Sequence, residues 1–356
     1  MSWLKSIFGG GGSGGSERTV TLQPSGAQFA VPKGETVLER ALKEGIAYPH
    51  DCTVGTCGSC RSKLIEGKVD AITPFSYTLS REELEAGYIL ACQAVPKGPV
   101  VLEVDTAVAD RPGAESYQGR LVESENLTHD IKRLVIELDR PMPYIAGQYV
   151  NVGWPGDTRT RSYSYAEKPE AGGRQRISTF VRRVPGGAFT GYIFDTAQPG
   201  DPLTLDGPHG NFWLREGTGP IVCIAGGSGM APIISLLEDA AARGARRDCI
   251  LLFGARGARD LYAEDRIAAI RSRWAAFFDY WPVLSEEPVA GMRDGFVTAH
   301  IAAALDRLGG GAQGYLCGPP GMIDAGVETL TAGGVPLDCI HYDKFTDAST
   351  TAAATA

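Results

Sequence analysis

Apolar and polar positions along this chain change their rhythm twice. Up to about Val104, short alternating runs are broken by one or two helical segments; from Tyr117 to Leu214 alternation dominates; after Gly219 come solid apolar blocks spaced by helical periodicity. Alternation predicts half-exposed antiparallel strands, whereas apolar blocks between helices predict the buried strands of a parallel sheet. In the first stretch, Thr19–Leu22 and Gln28–Val31 predict a hairpin and Thr36–Glu44 a short helix ending near Gly45. Strands at Lys63–Ile65 and Val100–Val104 follow, with a helix around Ser80–Glu85 between them. Ser80 and Glu83 have the spacing of a capping box. The prediction for residues 17–106 is a compact α+β domain.

The second stretch offers strands at Gln118–Glu123, Ile131–Glu137, Gln148–Val152, Ser162–Tyr165, Ile177–Arg182 and Pro202–Leu205. Short turn-bounded strands of this kind predict an antiparallel β-barrel over 115–215. In the third, Ile221–Ala225, Cys249–Phe253, Phe278–Val283 and Gly314–Cys317 alternate with helical Pro232–Arg243, Ala263–Ser272 and Thr298–Leu308. That order predicts an α/β doubly wound parallel sheet over 218–345. The Gly/Ser tract within residues 1–16 reads as a flexible N-terminal tail, and the small polar residues of 346–356 as a disordered one.

Charge and length add exclusions. The 356 residues suffice for two or three domains, and 42 acids against 34 bases give a net charge of −8. An acidic chain is a poor match for phosphate backbones, so no nucleic-acid partner is expected. No apolar run reaches the roughly 20 residues that span a bilayer, and no secretory signal is visible. The expected location is the cytoplasm. Trp3, Leu4, Ile7 and Phe8 fall on one face of a two-turn helix, so residues 1–8 are either a frayed tail or a small anchor for a partner protein or for the inner face of the membrane.

Four of the eight cysteines carry the strongest chemical signal. Cys52, Cys57 and Cys60 follow the pattern C-x4-C-x2-C, and 31 residues separate Cys60 from Cys92. This is the spacing of a plant-type [2Fe–2S] ferredoxin. Gly55 and Gly58 suit a loop that wraps inorganic sulfide, with N–H groups turned toward it and no Cβ intervening. A structural zinc site would need two short-spaced cysteine pairs, which are lacking. Cys223, Cys249, Cys317 and Cys339 are scattered, mostly in apolar runs, as in a reducing compartment.

Two further motifs concern nucleotides. On a barrel strand, Arg161, Ser162, Tyr163 and Ser164 combine an aromatic face, hydroxyl donors and a cation, the set a flavin requires. Gly186, Gly187 and Thr190 lie in a turn opening a helix, suited to a pyrophosphate. Gly226, Gly227, Ser228 and Gly229 join a buried strand to a helix, where glycines and the helix N-terminus favour phosphate, although G-x-G-x-x-G is not met. Cys317, Gly318 and Pro319 end a later strand, where ligands of open α/β sheets collect. With no general-base histidine nearby in sequence, Cys317 reads as a packing and positioning residue rather than a nucleophile.

Taken together, these motifs resemble the ferredoxin–NADH reductase components of bacterial multicomponent oxygenases, over roughly residues 17–345. The nearest likeness is to the members that serve xylene-type monooxygenases, through Pro49-His50-Asp51-Cys52, Val184-Pro185-Gly186-Gly187, Asp260-Leu261-Tyr262, Pro282–Glu287 and Tyr315–Pro320. The resemblance implies a β-grasp-like ferredoxin domain, a flavin barrel and an NAD domain, the last two similar to ferredoxin–NADP reductase. It implies an oxidoreductase with a [2Fe–2S] cluster, FAD and NADH, passing electrons from NADH to FAD to the cluster and on to an oxygenase. Cys52 and Cys57 would hold one iron, Cys60 and Cys92 the other. Arg161, Tyr163 and Ser164 would contact the flavin, Gly186 and Gly187 its pyrophosphate, and the Gly226–Gly229 turn the dinucleotide. Ser164, Cys317 and the C-terminal aromatic Phe345 would stand at the reaction centre. For the xylene-type members the partner is an integral membrane di-iron hydroxylase of aromatic alkyl side chains; the alternative is a soluble Rieske dioxygenase or soluble di-iron monooxygenase. Coenzyme choice stays open, because Arg256 and Arg259 follow the second strand of the NAD domain, where cations grip a 2′-phosphate. A simple redox carrier is the rival class, and it would need no nicotinamide site.

Overall fold

The computed structural model describes residues 18–50, 53–55, 58–104 and 112–346. Readings that fall on residues 1–17, on Cys52 and Cys57, or on the C-terminal tail beyond Thr346 lie outside the described residues. The chain forms two compact units, one drawn from residues 18–104 and one dominated by residues 112–346.

In the first unit, β1 (Thr19–Gln23) pairs antiparallel with β2 (Gln28–Ala30), and α1 (Val37–Lys43) follows. Thr36 caps α1 by accepting the Glu39 N–H at 3.1 Å, while Val37, Leu38 and Ala41 turn inward. Next come β3 (Arg61–Glu66), β4 (Val69–Ala71), α2 (Arg81–Glu85), β5 (Tyr88–Leu90), β6 (Ala94–Pro96) and β7 (Val100–Glu103). The expected capping box on α2 is present: Ser80 N–H donates to Glu83 at 2.9 Å, and Glu83 N–H to Ser80 Oγ at 3.3 Å. The main sheet has the order β2-β1-β7-β3-β5, with β1 and β7 parallel at its centre. Val20, Leu22, Leu38, Leu90 and Leu102 fill its core.

The second unit opens with six antiparallel strands: β8 (Glu115–Asn126), β9 (Ile131–Met142), β10 (Tyr149–Gly153), β11 (Thr160–Ser164), β12 (Arg174–Arg182) and β13 (Pro202–His209). Their order is β11-β10-β13-β8-β9-β12. A bridge between Tyr165 and Thr179 draws the two edge strands together, which curls the sheet into a barrel. Between β12 and β13 the short α3 (Ala188–Gly191) runs directly into a wider π turn at Tyr192–Thr196.

A six-stranded parallel sheet completes the unit: β14 (Ile221–Gly226), β15 (Cys249–Ala255), β16 (Phe278–Leu284), β17 (Arg293–Asp294), β18 (Gln313–Gly318) and β19 (Ile340–Lys344). The order β17-β16-β15-β14-β18-β19 reverses between β14 and β18. The carboxyl ends flanking that reversal are where open sheets bind ligands. Helices α4 (Met230–Ala242), α5 (Glu264–Arg273), α6 (Ile301–Leu308) and α7 (Pro320–Ala332) complete the alternation. Barrel residues Ile131, Ala166, Phe180 and Phe212 share one hydrophobic core with Ile234, Phe253 and Tyr315, so barrel and parallel sheet fold as one unit. No helix among the described residues is long and apolar enough to cross a membrane.

Candidate functional site

Pairing of β3 with β5 brings distant cysteines together. Arg61 lies opposite Leu90, and Ala91 N–H donates to the Cys60 carbonyl at 3.1 Å, which sets Cys92 beside Cys60. Both thiols are buried. Cys92 N–H points at Cys60 Sγ (3.4 Å), and the Gln93 side-chain amide at Cys92 Sγ (3.7 Å). Desolvated sulfur met by N–H donors is the environment iron–sulfide ligation requires, so this pair fits half of a cluster's cysteine set. Gly55 (φ +84°) and Gly58 (φ +74°) adopt the left-handed backbone that their position in the loop implies. A Cβ on Gly55 would also meet Gln93 Cγ at 2.8 Å, so the side chain that reaches Cys92 needs a glycine beneath it.

On β11 the pairing with β10 sets Arg161, Ser162, Tyr163 and Ser164 opposite Val152, Asn151, Val150 and Tyr149. Strand alternation therefore turns Arg161 and Tyr163 to one side and Ser162 and Ser164 to the other. Ser164 is only 4% exposed, while Ser162 faces solvent and donates to Asn151 Oδ1 at 2.7 Å. The Tyr163 ring leans on Phe189 with centroids 5.0 Å apart, and Phe189 is held edge-on by Trp154 at 5.0 Å. Burial, only partly offset by the Arg161 cation, keeps the Tyr163 phenol protonated far above its usual range. Gly186 has φ +71°, which supports the turn into α3. Thr190 is committed to that same turn: its Oγ1 lies 3.2 Å from the Val184 carbonyl and accepts the Val184 N–H at 3.2 Å. Its hydroxyl shapes the loop from inside.

The other two motifs meet at the reversal of the parallel sheet, where Ala225 of β14 is paired with Cys317 of β18. Gly227–Gly229 form a single 3-10 turn that continues into α4. A Cβ on Gly229 would stand 2.1 Å from the Cys317 carbonyl oxygen, and one on Gly226 would stand 2.7 Å from Met322 Sδ. Tyr262 donates to the Gly227 carbonyl at 2.7 Å and fixes the turn from below. Cys317 is fully buried and its thiol points to the Asp343 carbonyl at 3.5 Å. Burial, reinforced by Asp343, pushes the thiol well above its ordinary range, so it remains neutral near pH 7. Phe345 N–H donates to the Gly318 carbonyl at 2.8 Å, which places the C-terminal aromatic beside the Gly318–Pro319 turn.

A cleft of about 210 Å³ opens over this turn. Gly226, Gly227, Pro319 and Met322 floor it, Asp130 and Arg182 enter from the barrel, and Arg256, Asp260, Ser285 and Phe296 close its far end. Sequence reasoning missed the contribution of Arg182, whose guanidinium lies 3.6 Å from the Cβ position of Gly227. It also missed Asp130 and the exposed Phe296, at 76% exposure. Of the two arginines after the second strand, Arg256 lines the cleft and Arg259 does not. His129, Asp130 and Asp260 bring ligand atoms within 4.8 Å of one another, but Arg182 and Arg256 already supply cations to those carboxylates.

Three families match successive parts of the chain. A 2Fe-2S iron-sulfur cluster binding domain matches residues 20–97, an oxidoreductase FAD-binding domain 118–213, and an oxidoreductase NAD-binding domain 223–328. The xylene/toluene monooxygenase electron transfer component of Pseudomonas putida is 39% identical over 332 residues, covering 92% of this chain and 94% of that protein. The chain belongs to the reductase components of multicomponent oxygenases. The reductase component of phenol 2-monooxygenase from a Pseudomonas strain is similar as well, 37% identical over 92% of this chain and 94% of that protein. Among solved structures, the cytochrome P450 reductase of Amycolatopsis superposes with a TM-score of 0.69 at 35% identity, covering 93% of this chain and 99% of that one. Such reductases are oxidoreductases with [2Fe–2S], FAD and NAD sites, and the three expected architectures are all present.

Proposed function

We propose that this protein draws electrons from NADH and delivers them singly to a membrane-bound di-iron hydroxylase acting on the alkyl side chains of aromatic compounds. The bound groups supply the redox chemistry: FAD takes electrons in pairs and the [2Fe–2S] cluster passes them on one at a time. The chain's own residues bind and orient them. Tyr163 offers a ring face stiffened by Phe189, and buried Ser164 offers a hydroxyl from the opposite side of the same strand. A single ligand touched by both would cross the strand. Arg161 and the Gly186–Gly187 turn are assigned to the flavin phosphates.

At the cleft, the Gly226–Gly229 turn would take the coenzyme pyrophosphate at the N-terminal end of α4, beneath the Arg182 side chain of the barrel. Cys317 and Phe345 would line the nicotinamide end, Cys317 as a neutral packing and positioning group. Cys60 and Cys92, joined by Cys52 and Cys57, would ligate the cluster. The observation that carries the reading is the meeting of barrel and parallel sheet in one core, with a phosphate-type turn facing a barrel arginine across the cleft. A simple electron carrier has no use for that arrangement.

The choice of a membrane hydroxylase rests on the likeness to the xylene/toluene component, and a cytoplasmic protein working at the inner membrane face fits it. Reconstitution tests both levels. The full chain with FAD and cluster should reduce cytochrome c with NADH, and a Cys92→Ser variant should lose this activity while keeping its flavin absorbance. Product formation with membranes carrying a xylene-type hydroxylase, and not with a soluble phenol hydroxylase, is the expected preference. The reverse preference would overturn the membrane assignment, and absence of any NADH-driven reduction would overturn the function itself.

A further inference from the structure

Arg256 is the first residue after β15 and lines the cleft. In dinucleotide folds the carboxyl end of the second strand is where an acid accepts the ribose 2′-OH of NAD or an arginine grips the 2′-phosphate of NADP. By position alone Arg256 argues for NADPH. Its surroundings argue otherwise. Arg256 Nη2 donates to Asp130 Oδ2 at 3.1 Å, and its Nε lies 3.7 Å from Asp260 Oδ2. Both carboxylates are themselves anchored. Asp130 accepts from Thr128 Oγ1 at 3.0 Å and Arg182 Nε at 3.1 Å; Asp260 accepts from Gly257 N–H at 3.1 Å.

Resting on the reading that this cleft takes a nicotinamide dinucleotide, we propose that Asp130 and Asp260 set the coenzyme choice by occupying Arg256, so that its guanidinium is withheld from a 2′-phosphate. The charges within the group cancel: Arg182 and Arg256 against Asp130 and Asp260. His129 also borders the group, with Nδ1 3.2 Å from Asp260 Oδ1 and Nε2 3.5 Å from Arg256 Nη2. A second layer of acid stands at the next strand end. The backbone N–H groups of Glu286 and Glu287 both donate to the Arg256 carbonyl, at 2.9 and 3.3 Å, and their side chains are exposed. A dianionic 2′-phosphate entering here would meet a cation already paired by two anchored carboxylates, with two more acids beside it. A 2′-hydroxyl carries no such penalty.

Asp130 belongs to the barrel and Arg256 to the parallel sheet, so selectivity depends on a contact made across the cleft rather than on the strand end alone. This makes Asp130 a specificity-determining residue that acts through Arg256. The test uses the full chain with flavin and cluster bound, and ferricyanide reduction with NADH and with NADPH. Asp130→Asn should raise the ratio of kcat/KM for NADPH over that for NADH about tenfold, chiefly through a lower KM for NADPH. Adding Arg256→Ala to Asp130→Asn should return the ratio to the wild-type value. If the Asn variant does not retain flavin, Asp130→Ser takes its place with the same expectation. A ratio unchanged in the flavin-bearing Asp130 variant would overturn the proposal, and so would a gain that survives Arg256→Ala. Absence of NADH turnover in the wild-type protein would instead strike the functional reading on which it rests.

Discussion

The Gly186–Gly187 turn in the barrel and the Gly226–Gly229 turn in the parallel sheet read alike as sequence, each a glycine pair ahead of a helix, yet Gly186 of the first and Gly229 of the second answer to different forces. At Gly186 an added Cβ meets nothing within 4 Å, and what the position requires is its φ of +71°. At Gly229 the φ is an ordinary −61°, and what the position requires is space: the Cys317 carbonyl lies 2.1 Å from where a Cβ would stand. One glycine is kept for its torsion and the other for its thinness. Gly227 sides with Gly186: its φ is +55°, and Arg182 overhead, at 3.6 Å from a Cβ, would be an ordinary contact. The difference matters because torsional strain is small and local, whereas a backbone clash must separate two strands.

Substitutions rank accordingly. Gly229→Ala should have the largest effect, costing about 3 kcal/mol or more because the obstructing atom is backbone and cannot rotate away. A lowered melting temperature and a raised KM for NADH are the expected results; a wild-type melt would show that β14 and β18 can part at little cost. Gly186→Ala should cost about 1 kcal/mol, the price of a left-handed alanine. Its mark would be a modest loss of FAD retention on gel filtration with KM for NADH unaltered; an equal drop in both would erase the contrast between the turns. The smallest effect belongs to Cys317. Burial raises its pKa, so the folded chain holds the thiol proton more tightly than the unfolded chain does. Stability from this thiol is complete below about pH 8.5, the ordinary cysteine value, and declines as pH climbs toward the raised one. Iodoacetamide at pH 8 should therefore leave NADH-dependent ferricyanide reduction intact, and inactivation traced to Cys317 would contradict its burial.

Much of the architecture was legible because periodicity reports burial directly. The barrel strands and the apolar blocks Ile221–Ala225 and Cys249–Phe253 formed where their patterns implied. The elements that escaped were those without a pattern. β4, β5 and β6 have three residues each, too few to establish a period. β19 is an edge strand of mixed polarity, paired only with β18. α7 begins directly after Pro319, with Pro320 as its first residue, so its start reads locally as a turn.

In the site, Cys60 and Cys92, and the strand from Arg161 to Ser164, were visible because each motif is local or has a fixed spacing. Arg182, Asp130 and Arg256 were not visible as a group. They lie 52 and 126 residues apart in sequence, and a charged residue at a strand end resembles any solvated one until the fold joins it to its partner. Nor did the sequence show that the Thr190 hydroxyl braces its own loop through Val184, a bond that only the folded turn creates.

The near-contact between Gly229 and the Cys317 carbonyl has a mechanical corollary. With no side chain between them, the turn assigned to phosphate and the turn assigned to nicotinamide behave as a single rigid jaw. Widening the cleft for an incoming molecule therefore falls to the opposing barrel face, where the Asp130–Arg256 ion pair that joins the two faces would have to yield first.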